Sequence, residues 1–130
     1  MTYKLSSTSK QRLEGVDARL IEVIELALSI SLVDFGIPAD GGLRTPKRQN
    51  ELFKQGLSQL DGYKKLSNHQ TGRAFDVFAY VDGKASWDEL HLTHVATAIL
   101  AAASQLSVPL RWGGHWRNFK DLPHFEVYND

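Results

Sequence analysis

Two acid–histidine pairs are the groups in this sequence whose types and spacing could do chemistry. His69 and Asp76 are seven residues apart in SNHQTGRAFD, and Asp121 precedes His124 by three in DLPHFE. Each histidine lies beside a predicted strand, so that the two pairs could converge at strand ends. Two histidines and one carboxylate, with a water molecule in the fourth position, form the usual open site of a catalytic zinc ion. Taken alone, each pair is equally typical of an ordinary loop-to-strand turn.

The short segment between His69 and Asp76 has to fold tightly if both side chains are to reach one ion. Gly72 permits the unusual backbone angles of such a turn, and Ala74 leaves room beside the metal. Ser67 would cap the loop or support a ligand from behind. The H-x6-D spacing is a moderate signal by itself, and it becomes stronger together with the downstream D-x-x-H.

The remaining histidines have simpler explanations. His91 and His94 are three apart on a predicted helix, a spacing that could form a ligand pair but that also suits the polar face of a surface helix. His115, in WGGHW, could contact a substrate or could be a half-exposed loop residue. The absence of cysteine excludes disulfides and thiolate zinc sites, so any metal must be held by His, Asp or Glu.

Composition bounds the possible partners. A chain of 130 residues is a normal length for one domain, which we expect to span 1–130. Its net charge is zero and its pI is about 7, so the composition does not indicate a basic patch that would bind nucleic acid. Glu22 and Glu25 interrupt the most apolar stretch, LIEVIELALSISLV, which is therefore predicted to be an amphipathic helix rather than a membrane span. We expect no nucleic-acid partner, no stable membrane association and a monomer.

The elements that must position the candidate residues form a mixed pattern. Thr8 and Gln11 have capping-box spacing before an apolar periodicity. VDGK is typical of a hairpin turn, and Pro46 is favoured in a first helical turn. The pattern predicts an α+β fold, with helices packed on a small antiparallel sheet. The predicted helices span 9–30, 46–57 and 87–106, and a polar loop spans 58–73. FDVFAYV, VPLRW and HFEVY are predicted strands, and SLVDFGIPADGGLRT is predicted to be a strand followed by a Pro/Gly turn and a loop.

Three motifs together resemble a known family. S-x-H-x-x-G-x-A-x-D, W-G-G-x-W and D-x-P-H-F-E form the pattern of the M15 zinc peptidases, and G-x-R-T-x-x-R-Q is similar to their endolysin branch. The family includes D-alanyl-D-alanine carboxypeptidases and phage endolysins that cut L-alanyl-D-glutamate bonds. The resemblance covers nearly the whole chain, and it implies the small α+β fold that these peptidases share with Hedgehog signalling domains.

The resemblance also assigns roles to individual residues. It implies that His69, Asp76 and His124 bind Zn²⁺. Asp121 matches the acidic residue three before the last histidine, which serves the family as general base. Arg44, in G-L-R-T, matches an arginine that holds the substrate or the developing oxyanion.

Glu126 is the alternative to Asp121 as the base, because it alternates with Phe125 on a strand and could face the site. A supporting role behind a metal ligand is the interpretation we favour for it. Trp116 and His115 are candidate substrate contacts. Trp116 could wall a groove together with Trp112 and Phe119, although aromatic residues beside glycines also fill cores, the role we favour for Trp112.

The function that the resemblance implies is that of a phage endolysin. Such an enzyme hydrolyses the L-alanyl-D-glutamate bond of the peptidoglycan stem peptide and causes host lysis. The start MTYKLSSTSK has no apolar run typical of a signal peptide, so we expect synthesis in the host cytoplasm and release to periplasmic peptidoglycan through a holin. A D-alanyl-D-alanine carboxypeptidase and a non-catalytic, zinc-stabilised Hedgehog-like binding module are the alternatives. Asp121 argues against the binding module, which needs no base.

Overall fold

The N-terminal region of the computed structural model, which describes residues 2–128, contains two helices where the sequence predicted one over 9–30. Helix α1 spans Ser7–Arg12 and helix α2 spans Ala18–Ile30. Gly15 lies between them at φ +86°, in the left-handed region that glycine adopts without a steric penalty. The apolar periodicity runs through this break because both helices bury their apolar faces in the same core.

The predicted capping box at Thr8 and Gln11 is wrong. Ser6 caps α1, and its hydroxyl accepts a hydrogen bond from the backbone N–H of Ser9 at 3.1 Å. Both residues of the predicted box lie inside the helix. Serine and threonine are both favoured as caps, so the sequence SSTS at residues 6–9 offered neighbouring candidates that spacing alone could not separate.

The other two helices agree with their predictions apart from their ends. Helix α3 spans Pro46–Lys54, with Thr45 as its N-cap, and helix α4 spans Glu89–Gln105. The segment predicted as a loop contains one turn of 3₁₀ helix at Asn68–Thr71. None of the helices within residues 2–128 is long and apolar enough to cross a membrane.

The predicted strand FDVFAYV is two strands that belong to different sheets. Strand β1 spans Asp34–Gly36, β2 spans Ala74–Asp76, β3 spans Phe78–Val81 and β4 spans Lys84–Ser86. The first sheet is antiparallel in the order β1–β3–β4. The predicted hairpin between β3 and β4 is confirmed, since Asp82 and Gly83 both have positive φ, as a tight two-residue hairpin turn requires.

The second sheet carries the candidate site. Strand β5 spans Leu110–Trp112 and strand β6 spans His124–Val127, and the order is β2–β6–β5, again antiparallel. Asp76 is paired with His124, and Glu126 is flanked by Ala74 on one side and Arg111 on the other. Residues paired across a sheet project from the same face, so these side chains are neighbours.

The opposite face of this sheet belongs to the core. Phe75 and Phe125 stack with ring centroids 5.2 Å apart, and Trp112 lies beside Phe125 at 6.4 Å. Helices α2 and α4 pack against each other over the apolar interior. The predicted α+β class is confirmed, with two small antiparallel sheets in place of one.

Candidate metal centre and active site

Three side chains from separate elements meet at one point. His69 comes from the 3₁₀ turn, Asp76 from the end of β2 and His124 from the start of β6. Asp76 Oδ1 lies 3.2 Å from His69 Nε2 and 3.1 Å from His124 Nδ1, and the two ring nitrogens are 3.3 Å apart. Within residues 2–128, this is the one group of three His, Asp or Glu residues close enough to share a metal ion.

The turn that presents His69 is held by its own side chains. Ser67 Oγ accepts from the backbone N–H of His69, and Gln70 Oε1 accepts from the N–H of Ser67, which completes a capping box. Gly72 ends the turn at φ +73°, and a Cβ there would collide with the backbone of Gly15. The prediction that Gly72 permits a tight fold between His69 and the following strand is therefore confirmed.

The glycine pair Gly41–Gly42, which the sequence did not predict to be part of the site, holds His69 and Asp76 in place through its carbonyl groups. The Gly42 carbonyl oxygen lies 2.9 Å from His69 Nδ1, and the Gly41 carbonyl accepts from the backbone N–H of Asp76 at 2.8 Å. A carbonyl can only accept, so Nδ1 carries the hydrogen of neutral His69 and Nε2 presents its lone pair to the cluster. The available signal was the GG pair in ADGGLRT, because consecutive glycines permit close backbone contact.

His124 is oriented by a carboxylate. Its Nε2 lies 2.7 Å from Glu126 Oε1, so the ring donates there and directs Nδ1 to the cluster. Glu126 Oε2 accepts from Arg111 Nη2 at 2.7 Å and Nε at 3.0 Å. Burial raises the pKa of Glu126, but the hydrogen bonds from His124 and Arg111 outweigh it and lower that pKa to about 2. Both oxygens of Glu126 are thus engaged.

The cluster favours a positive charge at its centre. Burial opposes the charged form of Asp76, yet hydrogen bonds from His124 and His69 hold the pKa of this carboxyl well below its usual range. The pKa of His124 is raised to about 9, because its hydrogen bonds to Asp76 and Glu126 outweigh the cost of burial. The ring nitrogens that face Asp76 bind a metal through their lone pairs once no proton occupies them. Two imidazoles and a carboxylate are the donor set of a divalent metal site, so the residues fit such an ion.

Asp121 differs from the other acids of the site because its carboxylate is free. Within the described residues it accepts no hydrogen bond and forms no ion pair. Burial and the negative charge of Asp76 raise its pKa. Its backbone is fixed, since its N–H donates to Gly113 and its carbonyl accepts from the N–H of His124, both at 3.1 Å. A fixed, unpaired acid with a raised pKa is suited to proton transfer.

The cluster opens into a groove of about 1350 Å³. Asp121 and Arg44 line it, and Arg44 Nη2 donates to Asp76 Oδ2 at 3.2 Å. Trp116 forms part of its wall, with its ring centroid 5.3 Å from that of His124. Phe119 lies at the rim with 79% of its surface exposed.

A model of the phage L-alanyl-D-glutamate peptidase family matches residues 1–127 of the chain. The chain belongs to this family. It is 33% identical to the L-alanyl-D-glutamate peptidase of Escherichia phage T5, over 98% of this chain and 90% of that protein. It is 30% identical to the peptidoglycan L-alanyl-D-glutamate endopeptidase CwlK of Bacillus subtilis, over 66% of this chain and 57% of that protein. The resemblance to the endolysin branch of the M15 peptidases is thereby confirmed.

Solved structures agree with this family assignment. The chain is similar to the L-Ala D-Glu endopeptidase ChiX of Serratia marcescens, with a TM-score of 0.85, 38% identity, and coverage of 96% of this chain and 90% of that one. It is also similar to DacB of Streptococcus pneumoniae D39, with a TM-score of 0.53, 20% identity, and coverage of 93% and 71%. The second likeness shows the fold alone.

Two aromatic residues of the W-G-G-x-W motif lie away from the groove of this peptidase. Trp112 is buried in the core, as we favoured, and its Nε1 donates to the Leu122 carbonyl at 2.7 Å. His115 is exposed and packs edge-on against Trp112 at 4.9 Å, outside the lining of the groove. Of the two candidate substrate contacts, Trp116 is the one that the structure places beside the His69, Asp76 and His124 cluster.

The histidine pair on α4 lies outside the metal cluster. His91 Nδ1 is 2.7 Å from Ser86 Oγ, and His94 is exposed. We expect His91→Ala and His94→Ala to keep the metal content of the unsubstituted protein, measured by elemental analysis of the purified variants. Loss of metal from either variant would mean that α4 approaches the cluster more closely than this structure shows.

Proposed function

We propose that the chain is a zinc-dependent peptidoglycan endopeptidase that hydrolyses the L-alanyl-D-glutamate bond of the stem peptide. The observation that carries the proposal is the free Asp121 carboxylate in the same groove as the His69, Asp76 and His124 cluster. The family model, which matches nearly the whole chain, supports the choice of bond. We propose a domain that spans 1–130, of which Met1, Asn129 and Asp130 lie outside the described residues.

Zinc is the metal that suits the donors best. His69 Nε2, Asp76 Oδ1 and His124 Nδ1 would hold it. Two imidazoles in a three-ligand set favour zinc over magnesium or calcium, which prefer oxygen donors. A zinc ion with three protein ligands supplies Lewis acidity and lowers the pKa of a water molecule to about 7.

Asp121 would move the proton in this reaction. Hydrolysis forms a bond between water oxygen and the L-alanine carbonyl carbon and breaks the bond from that carbon to the D-glutamate nitrogen. Asp121 takes a proton from the attacking water and delivers it to the departing amine. Its raised pKa suits both steps, because the carboxylate has to accept the proton and the acid has to release it. Pro123, two residues on, restricts the link to His124.

Arg44 would contribute to both the metal site and the substrate. Its Nε donates to the Asp40 carbonyl, Nη1 to Gln49 Oε1 and Nη2 to Asp76 Oδ2. These contacts use three of the five guanidinium N–H groups. We propose that the remaining two face the groove and donate to the substrate or to the developing oxyanion, while Trp116 packs against the peptide.

The reaction product identifies the bond that is cut. We expect digestion of purified peptidoglycan by the zinc-loaded chain to create new amino ends on D-glutamate and new carboxyl ends on L-alanine. Mass spectrometry after amino-end labelling measures both. Release of D-alanine alone would instead identify a D-alanyl-D-alanine carboxypeptidase. Absence of any product with zinc fully bound would favour the non-catalytic module.

The substrate also determines where the chain would act. Peptidoglycan lies outside the inner membrane, so we propose that the chain works there as a monomer after release through a separate pore such as a holin. The names of the relatives, which include a phage peptidase and a peptidoglycan endopeptidase, support action on the cell wall. Lysis of the host would follow from cutting the stem peptides that cross-link the wall.

A further inference from the structure

A line of contacts leads from the protein surface to the metal cluster. We propose that Arg111 is a positioning residue, which sets the affinity for the metal by holding Glu126 against His124. This inference rests on the proposed zinc site. Its test measures zinc affinity, so that it can fail while the site itself stands.

The strand register builds these contacts. Arg111 on β5 is paired with Glu126 on β6, so that both side chains project from the same face of the sheet. Two arginine nitrogens, Nε at 3.0 Å and Nη2 at 2.7 Å, converge on Glu126 Oε2. The other oxygen, Oε1, accepts from His124 Nε2 at 2.7 Å. The carboxylate is therefore held at both oxygens, and the plane of the His124 ring is fixed with it.

The position of the Glu126 carboxylate depends on Arg111, because the Glu126 side chain is only 7% exposed and has little access to water. A buried carboxylate that loses its partner has to turn towards water. That movement would loosen its hydrogen bond to His124 and free the ring to rotate. Metal ligands that lose such an outer partner typically bind the metal about 10–100-fold more weakly.

Arg111 itself is open to substitution. Its side chain is 54% exposed, with its guanidinium carbon 5.8 Å from the centre of the Tyr128 ring, so truncation would leave no buried cavity. It does not line the groove, so no loss of substrate contact is expected. Arginine makes a planar two-nitrogen contact that the single ammonium of lysine cannot reproduce.

The direction in which zinc affinity changes on removal of Arg111 distinguishes a positioning role from a purely electrostatic one. Removing a positive charge near a divalent cation should strengthen binding if only long-range Coulomb forces acted. The proposed role predicts the opposite result, weaker zinc binding, because the geometry of His124 is lost.

We expect Arg111→Ala to raise the zinc dissociation constant about 10–100-fold, measured by competition with a chromophoric chelator, with the KM for peptidoglycan fragments unchanged. Arg111→Lys should give a smaller rise. Arg117→Ala, which removes another exposed arginine six residues further along the chain, serves as the matched control and should bind zinc like the unsubstituted protein. Circular dichroism without zinc verifies the fold, and Arg111→Lys carries the test if the alanine variant unfolds.

A double-mutant cycle tests whether Arg111 acts through Glu126. Glu126→Gln should weaken zinc binding, and Arg111→Ala added to it should cause no further loss. Unchanged or tighter zinc binding by Arg111→Ala would overturn the inference. An equal loss of zinc affinity from Arg111→Ala in the unsubstituted protein and in Glu126→Gln would also overturn it. If the unsubstituted chain binds no zinc, the proposed zinc site fails, and this inference fails with it.

Discussion

Asp121→Asn is expected to lower kcat about 100-fold or more, the scale typical of removing a general base, while zinc content and fold are kept. The amide has nearly the shape of the carboxylate but cannot accept the proton in the same way. Because the Asp121 carboxylate has no protein partner within the described residues, the substitution breaks no contact that supports the fold. Elemental analysis and the rate of peptidoglycan hydrolysis measure the two properties separately.

Glu126→Gln is the control for this experiment, because it changes the other acid beside His124. At saturating zinc we expect a much smaller effect on kcat, since both oxygens of Glu126 are already engaged by His124 and Arg111. Any loss should come through weaker zinc binding. An active Asp121→Asn together with a zinc-loaded but inactive Glu126→Gln would show that Glu126 is the base.

His69→Ala is expected to lose zinc and activity together. Two donors remain after the substitution, and a two-ligand site falls short of the three protein ligands that catalytic zinc requires. Zinc content, by elemental analysis, and the rate of peptidoglycan hydrolysis are measured on the same preparation. A His69→Ala protein with one full equivalent of zinc at the site would contradict the ligand assignment.

Chelation provides a second measure of the same loss. A metal that binds only the native state stabilises it, by about 4.1 kcal/mol when free metal exceeds the dissociation constant 1,000-fold. Chelator should therefore lower the thermal midpoint of the unsubstituted protein and leave that of His69→Ala nearly unchanged. His94→Ala, altered at an exposed position of α4, should respond to chelator like the unsubstituted protein.

The local features of this protein follow from short stretches of sequence. Pro46 after a capping threonine begins α3, and the Asp82–Gly83 pair turns β3 into β4, because each depends on backbone angles that one or two residues determine. The spacing of His69 and Asp76 around Gly72 is local in the same sense. His124 is distant in the chain, and the resemblance of the motifs to the M15 peptidases was needed to predict the three residues that the structure brings together.

The apolar pattern of the sequence did not predict where a helix or a strand is interrupted. Gly15 separates α1 from α2, and Val77 separates β2 from β3, although the apolar pattern continues through both points. The backbone N–H of Val77 still donates to the carbonyl of Pro123, the residue just before β6, whereas the next residues pair with β1. The chain stays buried where it passes from one sheet to the other, so the hydrophobicity of the sequence does not indicate that one strand ends and another begins.

The hydrogen-bond partners of the two acids near His124 were decided only by tertiary structure. Asp121 and Glu126 are three residues before and two residues after the histidine, and spacing leaves either one able to face the metal. The register between β5 and β6 places Arg111 opposite Glu126, so that the Glu126 carboxylate accepts hydrogen bonds from both Arg111 and His124. The backbone of Asp121 is bound to Gly113, and its carboxylate has no partner among the described residues. The physical reason is that the state of an acid depends on the partners brought to it, and these come from segments distant in the chain.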